Sequence, residues 1–515
     1  MNFPTPSNWR TWEPNPIVVK ELRQAVRSWA VTGMLLGFLC ILFLFTIGFL
    51  LGQSFTISPN QALGREIFQF FLPVLSLVGF VFIPVYVGGR LTAERLEGNV
   101  DMLYITTLSA ARIIRGKLLC GIYLTVLFFS VCAPFMVFTN LLRGIDLPTV
   151  FVLLVIAFLL SILSLQASIF LSCLPASKGL KLLVGLPAGG FMMGLVGVMT
   201  GLSVDLMREG IGSRLGTWNF WGPALSTLFL GLLLFGFLHL AAIALISPSS
   251  ANRALPLRSY ATGAWLLTFV VAIIWALNDV SRSPLVGWAS TVTGLVILAL
   301  LIAIAEGDDQ SIRIRRTIPG AGPKRGLAFF FYSGSASGLA WAVVLAAATM
   351  VLAWLLLETS VLDLLTSSSS GRGSRWGASE DYVRYLSTLI LYSLAYALFG
   401  LFIHRRFQPH RPPIFAAMAA VALPALWAIV PNLVLFFFNK LSWDALQERQ
   451  LGSIFNVFAM KDQSFIVDHQ LCALVLAAIG VGLNLKWFLA QRAVFKPLPR
   501  EAIPMNEVKA PPPLP

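Results

Sequence analysis

Apolar runs of eighteen or more residues recur from one end of this chain to the other, and no other feature limits its fold so strongly. Each run is long enough to cross a hydrocarbon core of ~30 Å at about 1.5 Å per residue. A backbone in that medium has no water to bond, so each such segment must close its own hydrogen bonds as a helix. Composition agrees: 57% of the 515 residues are hydrophobic and 12% are charged, against about 25% charged in a soluble domain. The expected fold class is an all-α polytopic membrane protein with about twelve transmembrane helices.

Those helices are expected at 30–52, 68–88, 117–139, 148–173, 180–203, 220–247, 260–278, 285–305, 336–357, 382–403, 413–438 and 469–490. They divide the chain into an N-terminal segment 1–29, a first set of six over 30–247, a second set over 260–490 and a tail over 491–515. The tail ends Ala510-Pro511-Pro512-Pro513-Leu514-Pro515, which is not helical material. With the N-terminus inside, the inner segments carry roughly 26 Lys and Arg and the outer ones roughly 11, the bias that sets orientation. The formal charge of +14 thus reads as topology and attraction to anionic inner-leaflet lipid, not as a nucleic-acid surface. Pro4, Pro6, Pro14 and Pro16 open a polar N-terminus, and the first apolar run is too long for a cleaved signal, so span 1 is expected to stay as an anchor. Both termini are expected in the cytoplasm, in the inner membrane. Outside, 359–381 has a Ser-rich linker composition, and 439–467 holds Trp443, Leu446, Leu451 and Phe455, the makings of a short surface helix.

Several chemistries lack their residues. No Gly-x-x-x-x-Gly-Lys followed by Ser or Thr occurs, and Arg115-Gly116-Lys117-Leu118 lacks both the upstream glycine and the hydroxyl for Mg²⁺. The chain is therefore expected not to be an ATPase. Gly334-Ser335-Ala336-Ser337-Gly338 does not match a nucleophile elbow and reads as helix packing. Cys40, Cys120, Cys132, Cys173 and Cys472 sit in or beside apolar runs without CxxC spacing, and His404 and His410 have no partners at metal spacing. His239 is the one ionisable side chain in the body of a span, whereas Glu306 sits at a span end within reach of water. Gradient-driven carriers place charge near mid-membrane. Gln166 and Asn484 are expected to bond between helices.

Two polar segments stand out. In the first, Asn15 can cap a helix that Pro16 opens. Val18, Leu22, Ala25, Val26 and Trp29 form one stripe on it, and Lys20, Arg23 and Arg27 form another. Such a helix should lie in the inner interface with its apolar side down. The second is the loop 89–117. Thr92 to Glu97 is expected as a short helix stopped by Gly98, and Ser109 as the cap of a helix Ala110–Arg115 running into span 3. The result is an elbow displaying Glu94, Arg95, Glu97 and Asp101.

The stretch Glu94-Arg95-Leu96-Glu97-Gly98-Asn99-Val100-Asp101-Met102-Leu103, followed by Thr106-Thr107-Leu108-Ser109 and Gly116-Lys117, resembles the cytoplasmic loop of ABC-2 type transporter permeases. There a Glu-x-x-x-Gly-Thr-x-x-x-Leu stretch leads into Pro-Leu-Ser and Gly-Lys. Asn15-Pro16 with Lys20-Glu21-Leu22 is similar to the helix preceding that family's first span. Asn99 stands at the usual Thr and Thr107 at the usual Pro, and the likeness covers about the first half of the chain. It implies an ABC-2 type permease domain over 30–247, the transmembrane subunit of an exporter driven by a separate ABC ATPase that binds the ATP and Mg²⁺. It further implies that Glu94, Arg95, Glu97, Gly98 and Asp101 contact the ATPase, and that Lys20, Glu21, Arg23 and Arg27 on the interface helix contact it or membrane lipid. No cofactor is expected in this chain. The halves are expected to pair as a homodimer or pseudo-dimer, and the cargo to be hydrophobic or amphipathic. The competing reading is a non-transporting membrane scaffold or assembly factor.

Overall fold

The computed structural model describes residues 16–53, 63–96, 109–142, 144–174, 178–211, 215–248, 250–279, 282–308, 310–358, 379–437, 450–459 and 465–497, and among them it is all-α, with no strand. Among the described residues, twelve helices are long and apolar enough to cross a membrane. The protein is thus an all-α, multi-pass membrane architecture. The chain divides into two compact units, Met1–Pro248 and Ser249–Pro515, with six of those helices in each.

In the first unit an interface helix, Pro16–Val26, precedes span 1, Trp29–Gln53. Span 2 is Leu63–Leu77, a π-helical turn Val78–Phe82 and Ile83–Leu96. Spans 3 to 6 are Ala110–Leu141, Leu147–Ser172, Lys178–Glu209 and Trp218–Ile246. The helices outrun the apolar windows that announce them. Span 3 has 32 residues, about 48 Å at 1.5 Å per residue against a core of ~30 Å. Its first turns therefore stand in the interface, where charge is tolerated.

Span 2 is the most buried of the first unit, with Phe68, Phe71, Leu72, Leu75 and Phe80 all sealed from solvent. Its junction with span 4 follows from one proline. Pro84 has no N–H to offer the carbonyl of Phe80 one turn earlier. An unpaired carbonyl inside a membrane is costly, and here Ser164 Oγ donates to it at 2.8 Å. Ser168 Oγ donates to the carbonyl of Pro84 at 2.6 Å and Ser172 Oγ to that of Gly88 at 2.8 Å. Three serines at four-residue spacing thus meet three carbonyls at the same spacing, a parallel register at a constant offset. Glycine permits the approach: a Cβ on Gly88 would stand 2.2 Å from Ser168 Oγ, and one on Gly79 2.3 Å from Ser161 Oγ.

In the second unit, spans 7 and 8 are Ala254–Asp279 and Ser283–Ile304. Short helices Ile312–Arg316 and Gly322–Phe329 then lead to span 9, Ser335–Ala353, which ends in a π-helical turn Trp354–Glu358. Spans 10, 11 and 12 are Ser379–Phe407, Ile414–Phe437 and Ile466–Val494. Tryptophan indoles stitch spans 7 and 9 together: Trp265 Nε1 donates to Thr349 Oγ1 and Trp341 Nε1 to Thr262 Oγ1, both at 3.0 Å. Span 10 is the axis of this unit, with Gly400 so close to span 11 that a Cβ would stand 2.5 Å from the carbonyl of Ala416.

The segment before span 12 departs from expectation. Trp443 and Leu446 lie outside the described residues, and the short helix is Ile454–Ala459. It does not simply lie on the surface. Gly452 N donates to Tyr392 Oη at 3.0 Å, Tyr396 Oη donates to the Gly452 carbonyl, and Trp427 Nε1 donates to the carbonyl of Leu451 at 3.0 Å. Trp427 is ten residues from the end of span 11, about 15 Å along the helix. The chain therefore re-enters the bundle at Leu451–Asn456. Its irregular backbone is tolerated there because span 10 and span 11 side chains take up its polar groups.

Candidate functional site

The interface helix begins at Pro16, with Asn15 outside the described residues. Its buried face coincides only in part with the stripe that apolar periodicity picks out. Ile17, Val18, Glu21 and Ala25 are buried, while Val26 and Trp29 are 71% and 84% exposed. Spacing explains the choice: Ile17, Glu21 and Ala25 follow at i, i+4 and i+8 on one face. Glu21 is the residue at its centre.

A buried carboxylate needs a partner, and Lys117 supplies one. Lys117 Nζ lies 2.7 Å from Glu21 Oε1 and 2.8 Å from Glu94 Oε2. The side chains of Lys117 and Glu21 are 2% and 5% exposed, that of Glu94 21%. Arg90 completes the cluster, with Nε 4.0 Å from Glu21 Oε2, Nη1 donating to Tyr86 Oη at 3.0 Å and Nη2 donating to Gln24 Oε1. Tyr86, Arg90 and Glu94 recur every four residues, so the end of span 2 presents one polar edge. Two cations and two carboxylates leave the cluster formally neutral. It joins three elements: the interface helix, the end of span 2 and the start of span 3.

The elbow residues are therefore arranged otherwise than expected. Thr92 to Leu96 is no separate helix but the continuation of span 2. Glu94 is not at an exposed tip, because it faces Lys117. Arg95 Nη1 donates to the Cys173 carbonyl, which ties the end of span 2 to the end of span 4. Glu21 is turned away from both solvent and lipid, whereas Lys20, Arg23 and Arg27 are exposed. Glu97, Gly98 and Asp101 lie outside the described residues. Ser109 has the extended backbone of a helix cap at the start of span 3, without a side-chain capping bond.

Lys117, the centre of this cluster, is the residue that sequence reasoning passed over. It was legible only as the second half of Gly116-Lys117, and nothing local announces that its partners lie 96 and 23 positions away. In sequence, 97–108 connects the two arms of this cluster, the end of span 2 and the start of span 3. Lys117 links both arms to the interface helix through Glu21.

The second unit has its own buried cation. Arg258 Nη2 lies 2.5 Å from Glu306 Oε2, and the Glu306 side chain keeps 26% exposure, so it reaches water as expected while also pairing with Arg258. Arg258 Nη1 also donates to the carbonyls of Phe330 and Tyr332 at 3.0 and 2.8 Å and to Ser337 Oγ at 3.2 Å. Ser335 N donates to Asp308 Oδ1 at 3.1 Å, so the Gly334–Gly338 stretch is a knotted helix start. Asn484 Nδ2 donates to the Leu398 carbonyl at 3.0 Å, the interhelical bond expected of it. All five cysteines are free thiols. Among the described residues no cluster of His, Cys, Asp or Glu is arranged to hold a metal ion. No family model, curated protein or solved structure matches this chain.

Proposed function

We propose that this chain is the transmembrane subunit of an ABC-2 type exporter, set in the cytoplasmic membrane with both termini inside, and that a separate ATPase drives it. The observation that carries the reading is Lys117 bridging Glu21 and Glu94 at 2.7 and 2.8 Å. A segment that receives a push is useful only if its flanks are mechanically joined to the spans. Here both flanks of 97–108 meet at one buried ammonium group, and the interface helix is held by the same group. The serine ladder to span 4 extends that body by a further helix.

In this reading ATP and Mg²⁺ are handled by the partner, and this chain hydrolyses nothing by itself. The ATPase meets the 97–108 segment with Glu97 and Asp101, and the exposed Lys20, Arg23 and Arg27 lie at lipid headgroups or beside the partner. Glu21 and Glu94 act behind that surface, as the linkage. The cargo is hydrophobic or amphipathic, and the assembled transporter is a homodimer or pseudo-dimer.

The test is co-purification from native membranes with and without Glu97→Arg. The parent chain is expected to bring down vanadate-sensitive ATP hydrolysis, and the charge reversal to lose it while the chain itself remains folded. A parent preparation with no associated ATPase, or an unchanged complex with Glu97→Arg, would overturn the assignment.

A further inference from the structure

The chain between spans 8 and 9 carries a charge pattern that the coupling reading does not use. No Asp or Glu occurs between Asp309 and Glu358, while Arg313, Arg315, Arg316, Lys324 and Arg325 crowd into 313–325. The described carboxylates that precede them are engaged elsewhere. Glu306 Oε2 accepts from Gly334 N at 2.9 Å and pairs with Arg258. Asp308 accepts from Ser335 N at 3.1 Å and from Trp487 Nε1 at 3.2 Å. The five cations make no ion pair among the described residues.

The two short helices that carry these cations are tied down at the level of the span ends. Ser311 Oγ accepts from Ile314 N at 3.3 Å, capping the first helix, and donates to the carbonyl of Ser250, just before span 7, at 3.4 Å. Tyr332, just before span 9, donates Oη to the Thr317 carbonyl at 2.7 Å. Ile314 and Ile318 are buried with Tyr332 and with Phe495, the residue that follows span 12. Phe329 of the second helix packs edge-on against Phe488 and Phe495.

These anchors fix which sides stay outward. Ile312 and Arg316 share a face at i and i+4, and Lys324 and Leu327 share one at i and i+3. All four are exposed, Ile312 to 64% and Leu327 to 66%, and so is Arg313. Cations and large apolar side chains thus alternate at the depth where spans end, the pattern of a helix lying in a membrane interface. The bias that sets orientation accounts for the number of cations at one face. It does not account for the two apolar side chains among them, or for the bonds that hold the segment at the span ends.

We propose that 311–329 is a docking surface for anionic phospholipid, with Arg313, Arg316 and Lys324 at the headgroup phosphates and Ile312 and Leu327 among the upper acyl carbons. A soluble acidic partner would satisfy the cations and leave both apolar side chains in water, whereas lipid takes up both kinds. The surface lies wholly in the second unit and needs no ATPase, so it stands or falls separately from the exporter reading.

The experiment uses the full chain in phosphatidylcholine nanodiscs that contain a minor share of photoactivatable phosphatidylglycerol, or of photoactivatable phosphatidylcholine with the same acyl chains. Cross-links to 312–329 are read by mass spectrometry. At equal probe content the anionic lipid is expected to label the segment about tenfold more than the zwitterionic one. The triple change Arg313→Gln, Arg316→Gln and Lys324→Gln should bring that ratio to within about twofold of one. Thermal unfolding should not change, because none of the three has an ion pair to lose. Ile312→Gln with Leu327→Gln should lower labelling by both lipids and leave their ratio. Arg406→Gln with Arg411→Gln, on the turn between spans 10 and 11, controls for general positive charge and should leave the ratio at 312–329 within about twofold of the parent. A parent ratio near one, a ratio undiminished by the triple change, an equal fall in the control, or labelling untouched by the loss of Ile312 and Leu327 overturns the surface. Absence of labelling at 312–329 by either lipid overturns it in favour of a soluble acidic partner.

Discussion

Replacing Lys117 by Met removes the cation that two carboxylates share. Glu21 is then left with Arg90 at 4.0 Å as its nearest charge, while only 5% of its side chain reaches solvent. Breaking a buried ion pair from one side costs about 3–5 kcal/mol, most of it the penalty of the stranded charge. Glu94 keeps 21% exposure and can turn outward, so it adds little. For a unit of this size, 3–5 kcal/mol corresponds to a fall in Tm of order 10 °C. The assay is built into the protein, because Cys120, Cys132 and Cys173 are buried free thiols. A maleimide dye reports their exposure as the first unit melts. The double change Glu21→Leu with Lys117→Met removes both buried charges and should recover most of the loss, leaving Arg90 with Tyr86 and Gln24. Glu94→Gln alone should cost no more than about 1 kcal/mol. If Lys117→Met melts with the parent, or if the double variant loses the sum of its two single losses, the cluster is not a coupled buried node and the linkage argument fails.

Two further outcomes follow from the packing. Gly88→Ala places a methyl 2.2 Å from Ser168 Oγ and should destabilise the first unit by about 1–3 kcal/mol. Gly89→Ala, with nothing within 4 Å, should be silent in the same thiol-exposure assay. Arg258→Lys keeps the charge beside Glu306 but cannot reproduce the fork that also reaches Phe330, Tyr332 and Ser337. It should lower the stability of the second unit by about 2 kcal/mol or more, read as faster proteolysis in the segment around 330–337.

The twelve helices were legible because hydrocarbon thickness sets a length that apolar windows reveal directly. Their ends were less so, since a helix does not stop where the lipid does; span 3 starts seven residues before its apolar run. The interface helix was legible from its periodicity, yet periodicity predicted its packed face only in part: Val18 and Ala25 of the apolar stripe are buried, whereas Val26 and Trp29 are exposed. Periodicity ranks Glu21 with the solvent-facing residues because nothing within the segment reveals Lys117. The same blindness hid the re-entry at Gly452: a polar stretch reads as exterior unless the tyrosines that satisfy it, 56 and 60 positions earlier, are known to be there. The serine ladder shows the converse. Pro84 alone signals a broken bond, and Ser164, Ser168 and Ser172 alone signal a small-residue face, but only their register shows that one repairs the other.

The two buried cations differ in a way that bears on which could transmit movement. Arg258 is a planar fork held by a carboxylate, backbone carbonyls and a hydroxyl at once. Moving it means breaking several bonds whose partners are fixed by their own backbone, so that node is a rivet. Lys117 is a flexible stem ending in a point charge with two carboxylate partners on two separate helices. An ammonium can turn about its stem and keep one partner while the other shifts, with Arg90 near enough to take up the Glu21 charge. In the coupling proposal such a joint stands where the drive would enter, at the ends of the two helices that 97–108 connects in sequence. The choice of lysine over arginine at position 117 is therefore part of the coupling proposal: a guanidinium there would fasten the interface helix to spans 2 and 3 in one geometry only.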